Sequence, residues 1–137
     1  MGLSQLAHLD DFVQRRREIV SAYNEAFKNI PWIQTPDLRN PADQNHTGWH
    51  LYSPRLDFKA LSKTRTQVMN ELREQGVGTQ VLYIPVHLQP WYRNTFGYAG
   101  GKCPVAEQAY AGLLSLPLFP AMTEADVFKV VKSVTSL

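Results

Sequence analysis

Two tyrosine–histidine pairs carry the side chains of this 137-residue chain best suited to chemistry. The first lies in "VLYIPVHLQPWYR", Val81 to Arg93, where Tyr83, Pro85 and His87 alternate with Leu82, Ile84 and Val86. Successive side chains of a strand point to opposite faces. A strand here aims Tyr83 and His87 away from the core on one face, and Pro85 stiffens the stretch between them. His50 and Tyr52 in "WHLYSPRL" share the same parity. Phenol and imidazole groups so placed are hydrogen-bond donors on an accessible wall. The plainer alternative is a histidine closing a strand beside a tyrosine on an ordinary exposed face, a common arrangement.

Other candidates fail on spacing. "GYAGGKC", Gly97 to Cys103, lacks both the four residues that separate the first glycine from Gly-Lys in a phosphate loop and the Ser or Thr after Lys102. It reads as a turn-rich loop. His46, His50 and His87 fall on different elements; the four-residue spacing of His46 and His50 spans Gly48 in a loop, so it is no helical metal pair. The single cysteine, Cys103, excludes an internal disulfide and a Cys-x-x-Cys site. No Gly-x-Ser-x-Gly elbow is present to hold a nucleophilic serine.

The elements that must position these residues follow from periodicity. Leu6, Leu9, Val13, Val20, Tyr23, Phe27 and Ile30 recur at helical spacing, which predicts a helix over 4–29. At 1.5 Å per residue it runs on the order of 40 Å, longer than a domain with a radius of gyration of about 14 Å can cover. Its Leu6 to Val13 end is expected to project. "QTPDLRNPADQNHTG", Gln34 to Gly48, reads as a long loop, and Trp49 to Leu56 as a strand. Thr64 with Gln67 forms a capping box for a helix that Gly76 ends. The Gly78 to His87 strand belongs at an edge or bulge because Pro85 removes a ladder donor. Pro104 opens a short helix to about Leu113, "LLSLPLF" is a third strand, and Thr123 caps a last helix with Val127, Val130, Val131 and Val134 inward.

This order predicts an α/β chain of the two-layer α+β kind, a small, mostly antiparallel sheet with helices on one face. A chain of this length buries roughly two-thirds of its unfolded surface without disulfides or metals. With 14 Lys and Arg against 12 Asp and Glu, the net charge of +2 leaves no electrostatic footprint for nucleic acid. No apolar run approaches the ~18 residues of a membrane span, and Met1 to Leu9 lacks the pattern of a signal peptide. A reducing cytoplasm is the expected compartment.

The combination "WHLYSPRLDF", "GVGTQVLYIPVHLQPWYR" and "CPVAEQAYAGLLSLPLFPAMTEADV" closely resembles the C-terminal domain of the DegT/DnrJ/EryC1/StrS sugar aminotransferases, fold-type-I enzymes that use pyridoxal phosphate (PLP). "GLSQLAHLDDFVQRRREIVSAYN" is similar to the family's long interdomain helix. The resemblance is greatest to members of the pseudaminic acid pathway. It implies a long interdomain helix over 1–30 and a small C-terminal domain over 31–137, taken from a longer homodimeric enzyme, with Met1 an added start. The large domain that binds PLP is then missing. None of Lys28, Lys59, Lys63, Lys102, Lys129 or Lys132 lies in the family's lysine motif. No catalytic, cofactor-binding or metal-binding residue is therefore expected in these 137 residues, and alone they are expected to be inactive.

The family's Tyr-x-Pro-Leu/Val-His strand approaches the substrate cleft, and Tyr83, Pro85 and His87 match it. The resemblance thus implies substrate-binding roles for Tyr83 and His87; His50 and Tyr52, on the parity of their own strand, are the further substrate-binding candidates. The whole enzyme is expected to move an amino group, from glutamate, through PLP to the 4-keto carbon of a UDP-linked deoxysugar. Leu82 stands where many relatives have histidine, which leaves the sugar open. The competing expectation is a stand-alone ligand-binding or dimerisation module without catalysis.

Overall fold

The computed structural model describes residues 2–38, 43 and 47–137. Its longest helix, α2 (Leu9–Phe27), follows a short helix α1 (Gly2–Leu6). Ile19, Val20, Tyr23 and Phe27 of α2 are buried, as their spacing predicts. The expected continuous helix over 4–29 is interrupted at Ala7 and His8, where His8 has φ −107° and ψ 5° and its N–H reaches back to the Gln5 carbonyl at 3.1 Å. The cause lies in packing. Ser4 through Asp11 are all exposed, including Leu6 at 62% and Leu9 at 47%, so nothing supports a continuous first turn.

Beyond a turn at Ile30 and Pro31, β1 (Ile33–Gln34) pairs antiparallel with β2 (Arg55–Leu56), Ile33 opposite Leu56 and Gln34 opposite Arg55. Isolated antiparallel bridges continue the ladder: Tyr52 with Leu116, Arg55 with Leu113 and Gln80 with Ser115. The Leu116 N–H donates to Tyr52 O at 2.9 Å, and Ser115 N–H to Gln80 O at 2.8 Å. The segments therefore lie in the order 33–34, 52–56, 113–116 and 80, a small antiparallel sheet. The three longer strands expected over 49–56, 78–87 and 113–119 shrink to these contacts. Pro54, Pro85 and Pro117 each lack a ladder donor, and Trp49 takes a positive φ of 42°.

Four further helices follow. Helix α3 (Arg65–Glu74) has the expected capping box, with Gln67 N–H on Thr64 Oγ1 at 3.3 Å and Thr64 N–H on Gln67 Oε1 at 2.8 Å. Gly76 ends it at φ 76°, its N–H on Arg73 O and the Val77 N–H on Leu72 O, both at 2.8 Å. That double bond is the Schellman arrangement, and the left-handed residue in it suits glycine. Helices α4 (Pro90–Phe96) and α5 (Pro104–Gly112) both start on proline, and α6 (Glu124–Thr135) starts on the Thr123–Asp126 capping box. Val127, Val130 and Val134 of α6 pack with the buried face of α2, with Val68 and Leu72 of α3, and with Tyr52, Leu56, Leu114 and Leu116 of the sheet in one apolar cluster. Arg15 fastens α2 to α6, donating to Met122 O at 2.7 Å and pairing with Glu124 at 2.8 Å. Among the described residues no helix is long and apolar enough to cross a membrane.

Candidate functional site

The chain leaves the sheet after Gln80 and forms an arm without regular secondary structure over 81–85, followed by one turn of 3-10 helix at Val86–Leu88. Pro85 sits at the start of that turn and accepts from the Leu88 N–H at 2.8 Å. Tyr83 is 94% exposed, with Ile84 and Val86 exposed beside it. His87, by contrast, is 8% exposed. The two do not share a face. The alternation already fails at Ile84, which is exposed next to Tyr83, and the 3-10 turn, which advances side chains by about 120° per residue rather than the 180° of a strand, swings His87 inward.

His87 points at α5, where its Nε2 lies 2.8 Å from Glu107 Oε1. A carboxylate offers only acceptors, so Nε2 is the donor in this contact. Glu107 also accepts from the Gly101 N–H, at 2.9 Å to each oxygen, and from the Cys103 N–H at 3.3 Å. The Gly101 amide first, and then His87, hold its carboxyl below the usual range, against a smaller opposing effect of burial. Sequence reasoning missed Glu107. Its one local signal was its place four residues after Cys103, within reach of the free N–H groups of a helix start.

The segment between His87 and Glu107 in the sequence carries a cluster of exposed and half-buried aromatics. Trp91 meets Phe96 edge-on at 5.5 Å and 78°, Phe96 stacks on Tyr98 at 5.4 Å, and Lys102 lies 3.8 Å from the Tyr98 ring centre. Gly97 ends α4 in the left-handed region at φ 65°. In "GYAGGKC" the Gly101 N–H already donates to Glu107, which takes from this loop an amide that a phosphate would need.

His50 and Tyr52 also part company. His50 is exposed, whereas Tyr52 is fully buried, its hydroxyl donating to Asn24 Oδ1 at 2.8 Å. Tyr52 thus belongs to the core rather than to the open face that strand parity predicts. Pro54 and the left-handed Trp49 on either side break the regular pleat that parity assumes. Leu51, between the two, and Gln80, three residues before Tyr83, open on a groove of about 570 Å³ whose other walls include Phe119, Asp126 and Lys129.

The PLP that the resemblance implies requires a lysine facing an enclosed site, with donors for a phosphate. The lysines here do not build one. Lys63 pairs with Glu71 at 2.6 Å and donates to Leu137 O, Lys28 pairs with Glu25, and Lys102 lies over Tyr98. Lys59, Lys129 and Lys132 are exposed. Lys129 alone of the six lines the groove, where the Asp126 carboxylate also stands among its walls. Among the described residues no group of three potential ligands could hold a metal, and His46 lies outside them. Cys103 is exposed at the start of α5, with no base in contact with its thiol among the described residues.

Comparison with known proteins is consistent across the chain. The family model described as the DegT/DnrJ/EryC1/StrS aminotransferase family matches residues 1–135. The spore coat polysaccharide biosynthesis protein SpsC of Bacillus subtilis is 39% identical over 138 residues, covering 100% of this chain and 35% of that protein. The crystal structure of the aminotransferase TlmJ from Streptoalloteichus hindustanus superposes with a TM-score of 0.82 at 30% identity, over 98% of this chain and 34% of that one. Helicobacter pylori PseC, an aminotransferase involved in the biosynthesis of pseudoaminic acid, gives a TM-score of 0.84 at 27% identity over 98% of this chain and 35% of its own. The chain thus spans about a third of the length of the relatives it matches.

Proposed function

The chain belongs to the DegT/DnrJ/EryC1/StrS aminotransferase family, and we propose that it is the C-terminal part of a PLP-dependent sugar aminotransferase, residues 1–30 connecting to a large domain and residues 31–137 forming the small domain that closes over substrate. The lysine that holds PLP then lies in the large domain, outside these 137 residues. PLP supplies the electron sink that lets an amino group leave one carbon and join another. The residues of this chain bind and orient. Alone they are inactive.

The observation that carries this reading is the arm. Residues 81–86 are fastened at one end by the Gln80–Ser115 bridge and at the other by His87 on Glu107, yet Tyr83 between them is 94% exposed. A tethered segment that presents a phenol to open space suits a wall that meets another surface or a ligand. The Tyr83 hydroxyl donates to a sugar or phosphate oxygen, and His50 is a second donor. His87 contributes from behind the arm, and Tyr52 from the core, by holding the backbone that carries His50.

The substrate assignment goes a step finer: a UDP-linked 4-keto deoxysugar of the pseudaminic acid type, with glutamate as donor, handled by a homodimer in the cytoplasm. Its support is the similarity to PseC and the resemblance of "VLYIPVHLQPWYR" to the family's Tyr-x-Pro-Leu/Val-His strand. The test is a full-length enzyme assayed with glutamate against a panel of UDP- and dTDP-linked keto-sugars. Turnover of a UDP-linked 4-keto sugar is expected. Turnover of dTDP-sugars alone overturns the nucleotide assignment, and turnover of none overturns the aminotransferase reading.

A further inference from the structure

Glu107 is approached by three groups from two parts of the chain. Its Oε1 lies 2.8 Å from His87 Nε2 and 3.3 Å from Cys103 N, while Gly101 N lies 2.9 Å from each of its oxygens. His87 precedes α4; Gly101 and Cys103 follow it. One carboxylate therefore closes the stretch from His87 to Cys103 into a loop whose two ends meet on a single side chain. Hydrogen bonds to an ionised acceptor are about twice as strong as neutral ones. The Glu107 side chain is 24% exposed and that of His87 9%, so the pair is sheltered from competing water.

The clasp matters because of what its surroundings lack. Helix α4 buries no side chain and has no side-chain hydrogen bond at its N-terminal cap. Its aromatics contact one another, and Tyr92 and Tyr98 are only half-buried. Among the described residues the arm has no ladder partner after Gln80. The Gln89 side chain at the start of α4 donates to Ile84 O at 3.3 Å, which ties the arm to the helix, and Glu107 holds the end that they share.

We propose that Glu107 is a positioning residue: by fixing the His87 ring together with the Gly101 and Cys103 amides, it holds the Tyr83 arm and the α4 aromatics in the one arrangement that receives the nucleotide-sugar. This rests on the reading of the Tyr83 arm as a substrate wall. Gln at 107 keeps one acceptor oxygen but presents an NH₂ group to a donor, so it weakens the clasp without removing it; Ala removes it.

The experiment uses the full-length enzyme with Tyr83→Ala, Glu107→Gln and Glu107→Ala. The half-reaction with the amino donor, followed by absorbance, is measured separately from the KM for the keto-sugar. Glu107→Ala is expected to raise the keto-sugar KM by about tenfold and Glu107→Gln by less, with the donor half-reaction within about twofold of the parent. Equal losses in both half-reactions, or no change in either, overturn the proposal. If Tyr83→Ala leaves the keto-sugar KM unchanged, the underlying reading falls, and the proposal with it. If Tyr83→Ala raises the KM and neither Glu107 variant does, the positioning role falls alone. Should Glu107→Ala not fold, Glu107→Gln carries the same comparison.

Discussion

The rings of Tyr23 and Tyr52 lie 5.0 Å apart at 49°, at the point where α2 meets the small sheet. Both side chains are fully buried, and each hydroxyl has a partner, Pro117 O at 2.9 Å for Tyr23 and Asn24 Oδ1 at 2.8 Å for Tyr52. Tyr52 therefore fixes α2 to the sheet by ring packing and by one polar contact. Tyr52→Phe keeps the ring and is expected to cost about 1 kcal/mol, while Tyr52→Ala opens a cavity and costs about 3–5 kcal/mol. Urea denaturation of both variants checks this. A Tyr52→Ala chain as stable as the parent would place the ring outside the core.

Burial gives the same pair a pH dependence. It pushes both phenols well above the ordinary tyrosine range, aided at Tyr23 by the charge of Asp126 and at Tyr52 by Tyr23. Unfolded tyrosines ionise near pH ~10, whereas the native ones keep their protons there. Above that pH the unfolded chain binds fewer protons than the native one, so stability falls as pH rises, by about 1.4 kcal/mol per pH unit for each tyrosine. The contribution is fully present below the unfolded value and is lost as pH climbs above it. Denaturation at a series of pH values from neutral to strongly alkaline should show a shallower decline for Tyr52→Phe than for the parent. Identical slopes would count against the assignment.

Where a signal is local, the fold was legible in the sequence. Thr64 with Gln67, Gly76, Pro104 and Thr123 all act within a few residues of themselves, and each ends or starts a helix as its type predicts. The antiparallel sheet was legible as a class but not in extent, because alternation of side chains marks a strand only where the backbone is regular. Pro54, Pro85 and the left-handed Trp49 break that regularity. The same break explains the candidate site. Tyr83 and His50 are open, as alternation predicts, whereas His87 and Tyr52 turn inward. Glu107 left little trace, since its partner His87 lies 20 residues away and sequence periodicity carries no such pairing. The break in the long helix at His8 was likewise hidden: the apolar stripe runs through Leu6 and Leu9 whether or not anything covers it.

His87 and Tyr83 should now separate in mutagenesis, where strand parity would have had them behave alike. His87 is buried and paired, so His87→Ala is expected to cost about 1–3 kcal/mol of stability. Tyr83 touches solvent almost everywhere, and Tyr83→Ala should stay within about 0.5 kcal/mol. In the full-length enzyme Tyr83→Ala is expected to raise the KM for the sugar while leaving the melting temperature unchanged within a degree or two. Thermal unfolding and steady-state kinetics on both variants decide the matter. A stability loss at Tyr83 with unchanged kinetics would return it to an ordinary surface role.

The last prediction concerns the cofactor. Binding PLP covalently requires an amine that is partly deprotonated and held against an aldehyde, with fixed donors for the phosphate. Lys28 and Lys63 already face carboxylates, Lys102 lies over an aromatic ring, and Lys59, Lys129 and Lys132 stand in the open. The start of α6 is closed to a phosphate as well, because Thr123 and Asp126 occupy its capping positions. These 137 residues should therefore retain no PLP after dialysis, although free lysines on any protein form weak, reversible adducts with it. The measurement is a visible absorption band after exhaustive dialysis, repeated with each lysine replaced by alanine. Lys129 gives the sharpest outcome, because it is the lysine on the groove. A band that survives dialysis and vanishes in Lys129→Ala would make that groove a cofactor site and the chain an enzyme in its own right.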